Sequence, residues 1–358
     1  MSNIYDFYDP AAVSLLDNRK KVIIPQVAPE VMEEYKTFSN GVNSNEYQYT
    51  LLGVTGMGMG QIIADGQVPA SDAPIQGFAK TLTQYIFTER LRLSQQEVYY
   101  MIKSGDGAKL DKSIADQVLN IKNSVVHLKN YIAQSMIAGG WSTSVAFTPL
   151  SGTTVTTLDT TGADGVAFFS ASHPREDGGS AWSNITVSGT SNPTFSLTAL
   201  IAARAQHLAK KDGRGMPITG SKLNMFMFLD GSTAYTLAQS ISKTLAAGKY
   251  PSALPGGSAT VTSSTSSPVD GNPTDSFEVV GLTNYGGTGV SSAMWFGLDK
   301  SKINDKHGLQ YVKSMDLTVS PFTVDMVGNM DYIATATEYA TFGGADFRFW
   351  QASNGTNS

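Results

Sequence analysis

The strongest constraint on the fold is an apolar pattern that recurs every three or four positions over residues 110–136. The apolar positions are Leu110, Ile114, Val118, Ile121, Val125, Leu128, Ile132 and Met136. This spacing places them on one face of an α-helix about 40 Å long at 1.5 Å per residue. Gly107 precedes the pattern and Gly139 follows it, which sets the ends. Other elements must cover the whole apolar face of so long a helix. The chain is therefore not a single small module.

The polar positions of this helix carry several basic side chains. Lys109, Lys112, Lys122 and Lys129 are expected on a solvated face. His127 lies beside the apolar face, where an isolated histidine is typically a hydrogen-bonded structural residue and not a ligand.

The composition limits the function classes. A chain of 358 residues predicts two lobes, or one domain with extensions. Only 15% of the residues are charged, against about 25% in an average soluble domain, which indicates large areas buried against other subunits. The net charge of −5 argues against a sequence-reading nucleic-acid protein. The absence of cysteine excludes disulfides and thiolate metal sites, and no apolar run is long enough to predict a membrane span.

The first hundred residues contain little material for a core. Residues 1–45 carry several prolines, which predicts extended chain with at most one short helix at residues 29–38. Strand-like patterns at residues 46–54 and 81–88 enclose a stretch rich in glycine and proline, which predicts a projecting hairpin.

The glycines at the hairpin tip do not form a dinucleotide-binding motif. Gly56, Gly58 and Gly60 are followed by Gln61 and Ile63, where the motif requires its last glycine, and no helix follows.

The rest of the chain predicts alternating helices and strands, hence an α+β fold. Helices are expected at residues 196–211 and 232–247, and strands at residues 223–229, 277–282, 293–299, 310–319, 324–327 and 332–342. Ser172 and His173 lack the GxSxG context of a hydrolase, and the histidines are not spaced as metal ligands. No catalytic residue, cofactor or metal site is predicted, so the chain is not expected to be an enzyme.

Four short motifs occur in a fixed order along the second half of the chain. They are FFSASHP at residues 168–174, DGRGMPI at 212–218, GNP at 271–273 and AMWFGLD at 293–299. Together with the arm, the hairpin and the long helix, they resemble the major capsid proteins of tailed bacteriophages, over essentially the whole chain. The fold that this resemblance implies is the Hong Kong ninety-seven fold.

The resemblance implies a layout for each part of the chain. Residues 1–45 would be an N-terminal arm across a neighbouring subunit, and residues 46–100 an extended hairpin, the E-loop. Residues 101–195 would be the peripheral domain, with its spine helix at 110–136. Residues 196–324 would be the axial domain, and residues 325–358 would return to the peripheral domain.

The resemblance also implies a function and partners. The chain would assemble with itself into hexamers and pentamers of an icosahedral phage shell around double-stranded DNA, which it would contact nonspecifically. Portal protein and separate scaffolding or decoration proteins would be further partners. The shell would assemble in the host bacterial cytoplasm and remain in the virion, with no membrane contact. An encapsulin-like compartment shell is the alternative, followed by a β-rich hydrolase with unrecognised catalytic acids.

Candidate assembly residues follow from this layout. They are Gly56, Gly58, Gly60, Gln61 and Lys80 on the hairpin, and Arg19, Lys20 and Lys21 on the arm. Some family members join a hairpin lysine covalently to a neighbour's asparagine, but Lys80 is interpreted as an ordinary exposed lysine.

Overall fold

The computed structural model describes most of the chain. The described residues are 10–54, 76–149, 156–187, 192–218, 220–246, 250–252, 262–264, 276–285, 290–303, 307–325 and 330–355. Their helices are α1 (Pro10–Ile23), α2 (Tyr35–Phe38), α3 (Gln95–Lys103), α4 (Gly107–Ala138), α5 (Leu197–Leu208) and α6 (Thr233–Ala246).

The strands are distributed along the whole chain, which confirms the α+β class. They are β1 (Ser39–Asn43), β2 (Gln48–Val54), β3 (Gln76–Thr83), β4 (Tyr85–Leu93), β5 (Ser144–Phe147), β6 (Thr156–Asp159), β7 (Met225–Leu229), β8 (Tyr250–Ser252), β9 (Thr262–Ser264), β10 (Glu278–Leu282), β11 (Trp295–Leu298), β12 (Leu309–Val319), β13 (Thr323–Val324), β14 (Tyr332–Gly344) and β15 (Trp350–Ser353).

The long helix α4 confirms the helix that the apolar periodicity predicts. It has 32 residues, and the Asp106 side chain caps its start by accepting a hydrogen bond from the Lys109 N–H at 3.3 Å. Its apolar face is buried against α1, α3, β4 and β14. The prediction that these lysines lie on a solvated face is wrong for Lys122 and Lys129. Lys122 donates to the Ile24 carbonyl at 2.7 Å, and Lys129 is buried beside β14.

The arm is more ordered than its prolines predict. Residues 10–23 form α1, with Ala12 and Leu16 buried against the first turns of α4. The expectation of extended chain is wrong here because Pro10 stands in the first turn of α1, where a helix needs no N–H donor and the proline φ is already helical.

A mixed sheet packs beside α4. Three of its strands have the order β1-β12-β14. Strand β13 pairs with the first residues of β14, on the same edge as β12, and β4 pairs with the opposite edge of β14. The predicted layout places residues 309–319 in the axial domain, but they form β12 and pair with β14. Strand pairing therefore crosses the predicted boundary at residue 325, while the domain layout as a whole stays a prediction.

A second sheet has the order β10-β7-β11-β15. In β7, Met225 and Met227 face the large core shared with α4, while Phe226 and Phe228 face the cluster under α5 and α6. Both faces of this strand are buried, which explains its continuous apolar sequence. The last strand, β15, lies in this second sheet, so the end of the chain does not stay with β14.

The hairpin is formed by β2 and β3, paired from Gln48 opposite Thr83 to Val54 opposite Gln76. The single strand expected at residues 81–88 is wrong, because the chain changes partner at Gln84. The strand before it pairs with β2, and the strand after it pairs with β14. The β-rich composition continues through this point, although the alternation of polar and apolar residues breaks at Gln84.

Candidate assembly surfaces

The root of the hairpin rests on a small separate core. Leu51 and Leu82 of the hairpin are buried against Val312 and Ala345. A Cβ atom added to Gly343 would lie 2.1 Å from Leu82 Cδ2. The hairpin therefore contacts the β14 backbone directly, at a position where a side chain does not fit.

Gly343→Ala should destabilise the chain by roughly 1–3 kcal/mol, because the methyl group forces Leu82 and the hairpin away from β14. Urea unfolding of the unassembled chain measures the effect. Gly41→Ala in β1 is the matched control, since nothing lies within 4 Å of an added Cβ there. Equal stability of the two variants would contradict the close contact at Gly343.

Lys80 fixes the hairpin root by polar contacts. Its Nζ donates to the Thr161 carbonyl at 2.6 Å and to the Thr161 Oγ1 at 2.9 Å, and lies 3.2 Å from Asp159 Oδ2. Its side chain is 7% exposed, so the interpretation as an ordinary exposed lysine is wrong. Desolvation lowers the pKa of Lys80, partly offset by the Asp159 charge. The sequence around Lys80 does not predict this environment, because Asp159 is distant along the chain.

The basic residues of the arm are mostly engaged within the chain. Arg19 lies 2.5 Å from Asp111 and donates to the Gly107 carbonyl. Lys20 is buried, pairs with Asp17 at 2.9 Å and donates to the Ser320 carbonyl. Lys21 is exposed. Their role in assembly stays a prediction, and the contacts of Arg19 and Lys20 explain how the arm attaches to α4 and to the end of β12.

The glycines of the hairpin tip and Gln61 lie outside the described residues. Their proposed part in assembly stays a prediction.

A cleft lies between the hairpin and the body. Its lining includes Leu52 and Phe78 of the hairpin and Trp182 of the body. Asp346 accepts hydrogen bonds from His307 at 3.1 Å and from Arg348. The Arg348 and His307 charges hold the pKa of Asp346 well below its usual range, against the opposing effect of burial, which is the largest single influence. The charged groups of the cleft are paired within the chain. Its apolar side chains are therefore the surface that remains for contact.

His173 is a structural residue. Its Nδ1 lies 2.6 Å from Asp164 Oδ2 and its Nε2 lies 3.1 Å from Asn184 Oδ1. The ring stacks on Phe347 with centroids 3.3 Å apart, and the side chain is fully buried. Both ring nitrogens are thus occupied, and no substrate can reach the Ser172–His173 pair through this imidazole.

A buried chain of polar groups lies between α5 and the second sheet, and no sequence motif predicts it. His207 Nε2 lies 2.6 Å from Ser221 Oγ, and Ser221 donates to Asp299 Oδ2 at 2.9 Å. The serine stands between the imidazole and the carboxylate, so the carboxylate does not orient the imidazole as in a catalytic triad. Burial and the nearby Lys210 charge lower the pKa of His207 to about 3. The arrangement links the C-terminal turn of α5 to the end of β11.

The described residues contain no cluster of three or more side chains suited to a metal ion. Within the same residues, no helix is long and apolar enough to span a membrane.

Comparisons with known proteins give likenesses of structure only. Neither a protein-family model nor a curated protein matches the chain. The chain is similar to the subunit of the capsid of the empty GTA particle, with 13% identity and a TM-score of 0.47 over 91% of this chain and 92% of that one. It is also similar to the capsid of cyanophage P-SCSP1u, with 12% identity and a TM-score of 0.45 over 89% and 86%. A virus-like particle from Pyrococcus furiosus is similar at 6% identity and a TM-score of 0.42, over 95% and 98%.

Several large apolar side chains of the described residues are exposed, among them Met32, Tyr47, Leu52, Ile86, Tyr99 and Tyr100.

Proposed function

We propose that this chain is the major capsid protein of a tailed bacteriophage, which forms the hexamers and pentamers of an icosahedral shell around double-stranded DNA. The observation that carries the proposal is the hairpin of β2 and β3, which pairs with neither of the two larger sheets and rests on the body through a small core of its own. The helix of the arm, this hairpin and the long helix α4 follow one another along the chain, which supports the layout of the family that the sequence resembles.

The physical chemistry of the protomer supports this function. A two-stranded hairpin has little stability alone, so a surface on a neighbouring subunit would stabilise it. Many copies around a closed shell would multiply weak contacts of this kind. A net charge of −5, with Arg19 and Lys20 paired inside the chain, favours weak and nonspecific contact with packaged DNA.

The proposal includes partners and a location. Portal protein and separate scaffolding or decoration proteins would complete the head. Assembly would take place in the host bacterial cytoplasm, and the finished subunit would reside in the virion. The subunit would act by assembly and perform no reaction.

Electron microscopy of the purified protein, with analytical ultracentrifugation, tests the proposed function. We expect shells, or rings of five and six subunits, and nucleic acid inside particles isolated from cells. Particles that hold protein cargo and no DNA would favour the encapsulin-like alternative. A chain that stays monomeric or dimeric in all conditions, including co-expression with its genomic neighbours, would overturn the proposal.

A further inference from the structure

A cavity opens between the arm, α4 and the mixed sheet. Its volume is about 250 Å³, many times the space that one water molecule needs. Residues 29–36 of the arm form one wall, α4 forms the second, and β12 and β14 form the third. Each wall contributes at least one lysine, and the four are Lys36, Lys122, Lys129 and Lys313. We call this space the lysine cavity.

Two of the lysines belong to exposed ion pairs at the edge of the cavity. Lys36 pairs with Glu33, and Lys313 pairs with Asp316. The side chain of Lys36 is 59% exposed and that of Asp316 is 81% exposed. Ion pairs of this kind contribute little to stability, so the two lysines can turn toward another anion at small cost.

Lys122 has no carboxylate partner among the described residues. Its Nζ donates to the carbonyls of Ile24 and Val27, and an ammonium group has three N–H donors, so one donor is left. Desolvation lowers the pKa of Lys122 with no opposing charge, whereas the Glu338 charge partly offsets the same effect at Lys129. The cavity thus holds four ammonium groups against three carboxylates, and an anion near Lys122 would stabilise its charged form.

We propose that the lysine cavity binds a phosphate group. Such a group has more acceptor oxygens than a carboxylate, and they point in divergent directions, which suits lysines on three separate walls. The charge of Lys313 repels that of Lys129, and a phosphate group between them would offset this repulsion. The bound group would join the arm to α4 and β12, which are distant along the chain.

The free phosphate ion and the backbone phosphates of nucleic acid share this chemistry. The inference goes beyond the proposed function and does not depend on shell formation, because the cavity lies within one chain.

Calorimetric titration of the unassembled chain with inorganic phosphate, at an ionic strength held constant with sodium chloride, tests the proposal. Lys313→Met should weaken phosphate binding about tenfold, since it removes one charged donor. Asp316→Asn should tighten it, because it removes the carboxylate that competes for Lys313. Lys300→Met is the matched control, since Lys300 forms an exposed pair with Glu278 outside the cavity, and it should bind phosphate as the wild type does.

A labelled DNA duplex of random sequence, titrated under the same conditions, separates the two sources of the phosphate group. Duplex binding that weakens in Lys313→Met and is displaced by phosphate assigns the cavity to nucleic acid, and duplex binding equal in both proteins assigns it to the free ion. Phosphate binding no tighter than that of chloride, or equal in the wild type and Lys313→Met, would overturn the inference. A chain that binds phosphate but forms no shell would instead overturn the proposed function and leave the lysine cavity intact.

Discussion

Lys129→Met should lower the free energy of unfolding by about 3–5 kcal/mol, because it leaves a buried carboxylate without its cation. Lys129 Nζ lies 2.5 Å from Glu338 Oε1, and the two side chains are 8% and 3% exposed. Tyr311 donates a hydrogen bond to the same oxygen at 2.9 Å. Desolvation lowers the pKa of Lys129, and the attraction of Glu338 opposes that shift. The pair joins α4 to β14, so its loss weakens the contact between the long helix and the sheet.

Urea unfolding of the unassembled chain measures this loss. Lys109→Met is the matched control, because it is the same change in the same helix at an exposed pair with Asp106, and it should leave the stability nearly unchanged. The double variant Lys129→Met with Glu338→Leu should recover most of the stability, since no unpaired charge remains. An effect of Lys129→Met as small as that of Lys109→Met would show that the pair is solvated in solution.

The parts of the fold that depend on local periodicity could be predicted from the sequence. The apolar spacing predicted α4 from residue 110 to 136, and the structure extends it by one turn or less at each end. The short apolar run at residues 223–229 predicted the buried strand β7. In both cases the buried face repeats with the period of the element, so the sequence records it directly.

Features that depend on distant partners could not be predicted in this way. Lys109 and Lys129 both lie on the predicted helix, but only Lys129 is buried and paired with Glu338, which is far along the chain. Lys80 is buried for the same reason, by Asp159 and Thr161. The hairpin ends where β14 replaces β2 as the partner strand, and β14 lies at the other end of the sequence.

Helix α5 shows a different limit of sequence reasoning. Its sequence carries apolar residues on more than one side, which predicts a helix but does not tell which side the chain covers. Only the position of the second sheet separates the buried Leu200 from the exposed Leu208.

Acidification from pH 7 to pH 4 should cost the unassembled chain about 3 kcal/mol of stability through His207 alone. Burial, and then the charge of Lys210, lowers the pKa of His207 to about 3. In the unfolded chain the imidazole takes up a proton near pH 6.5, whereas the folded chain keeps it neutral. The unfolded state therefore binds more protons between these two values, and stability falls as the pH drops through that window.

The stability of His207→Gln across the same pH range isolates this contribution, because glutamine does not titrate and can still contact Ser221. Carboxylates that titrate in acid affect both proteins alike, so the difference between them reports His207. That difference should be constant above pH 7 and should change by about 3 kcal/mol in favour of the variant at pH 4. Lys210→Met should raise the pKa of His207, since it removes the second cause of the lowered pKa. The pH dependence of the stability should then be smaller. Identical pH profiles of the wild type and His207→Gln would mean that the imidazole is hydrated in the folded chain, and that the contact between α5 and the second sheet is looser than its 2.6 Å hydrogen bond to Ser221 indicates.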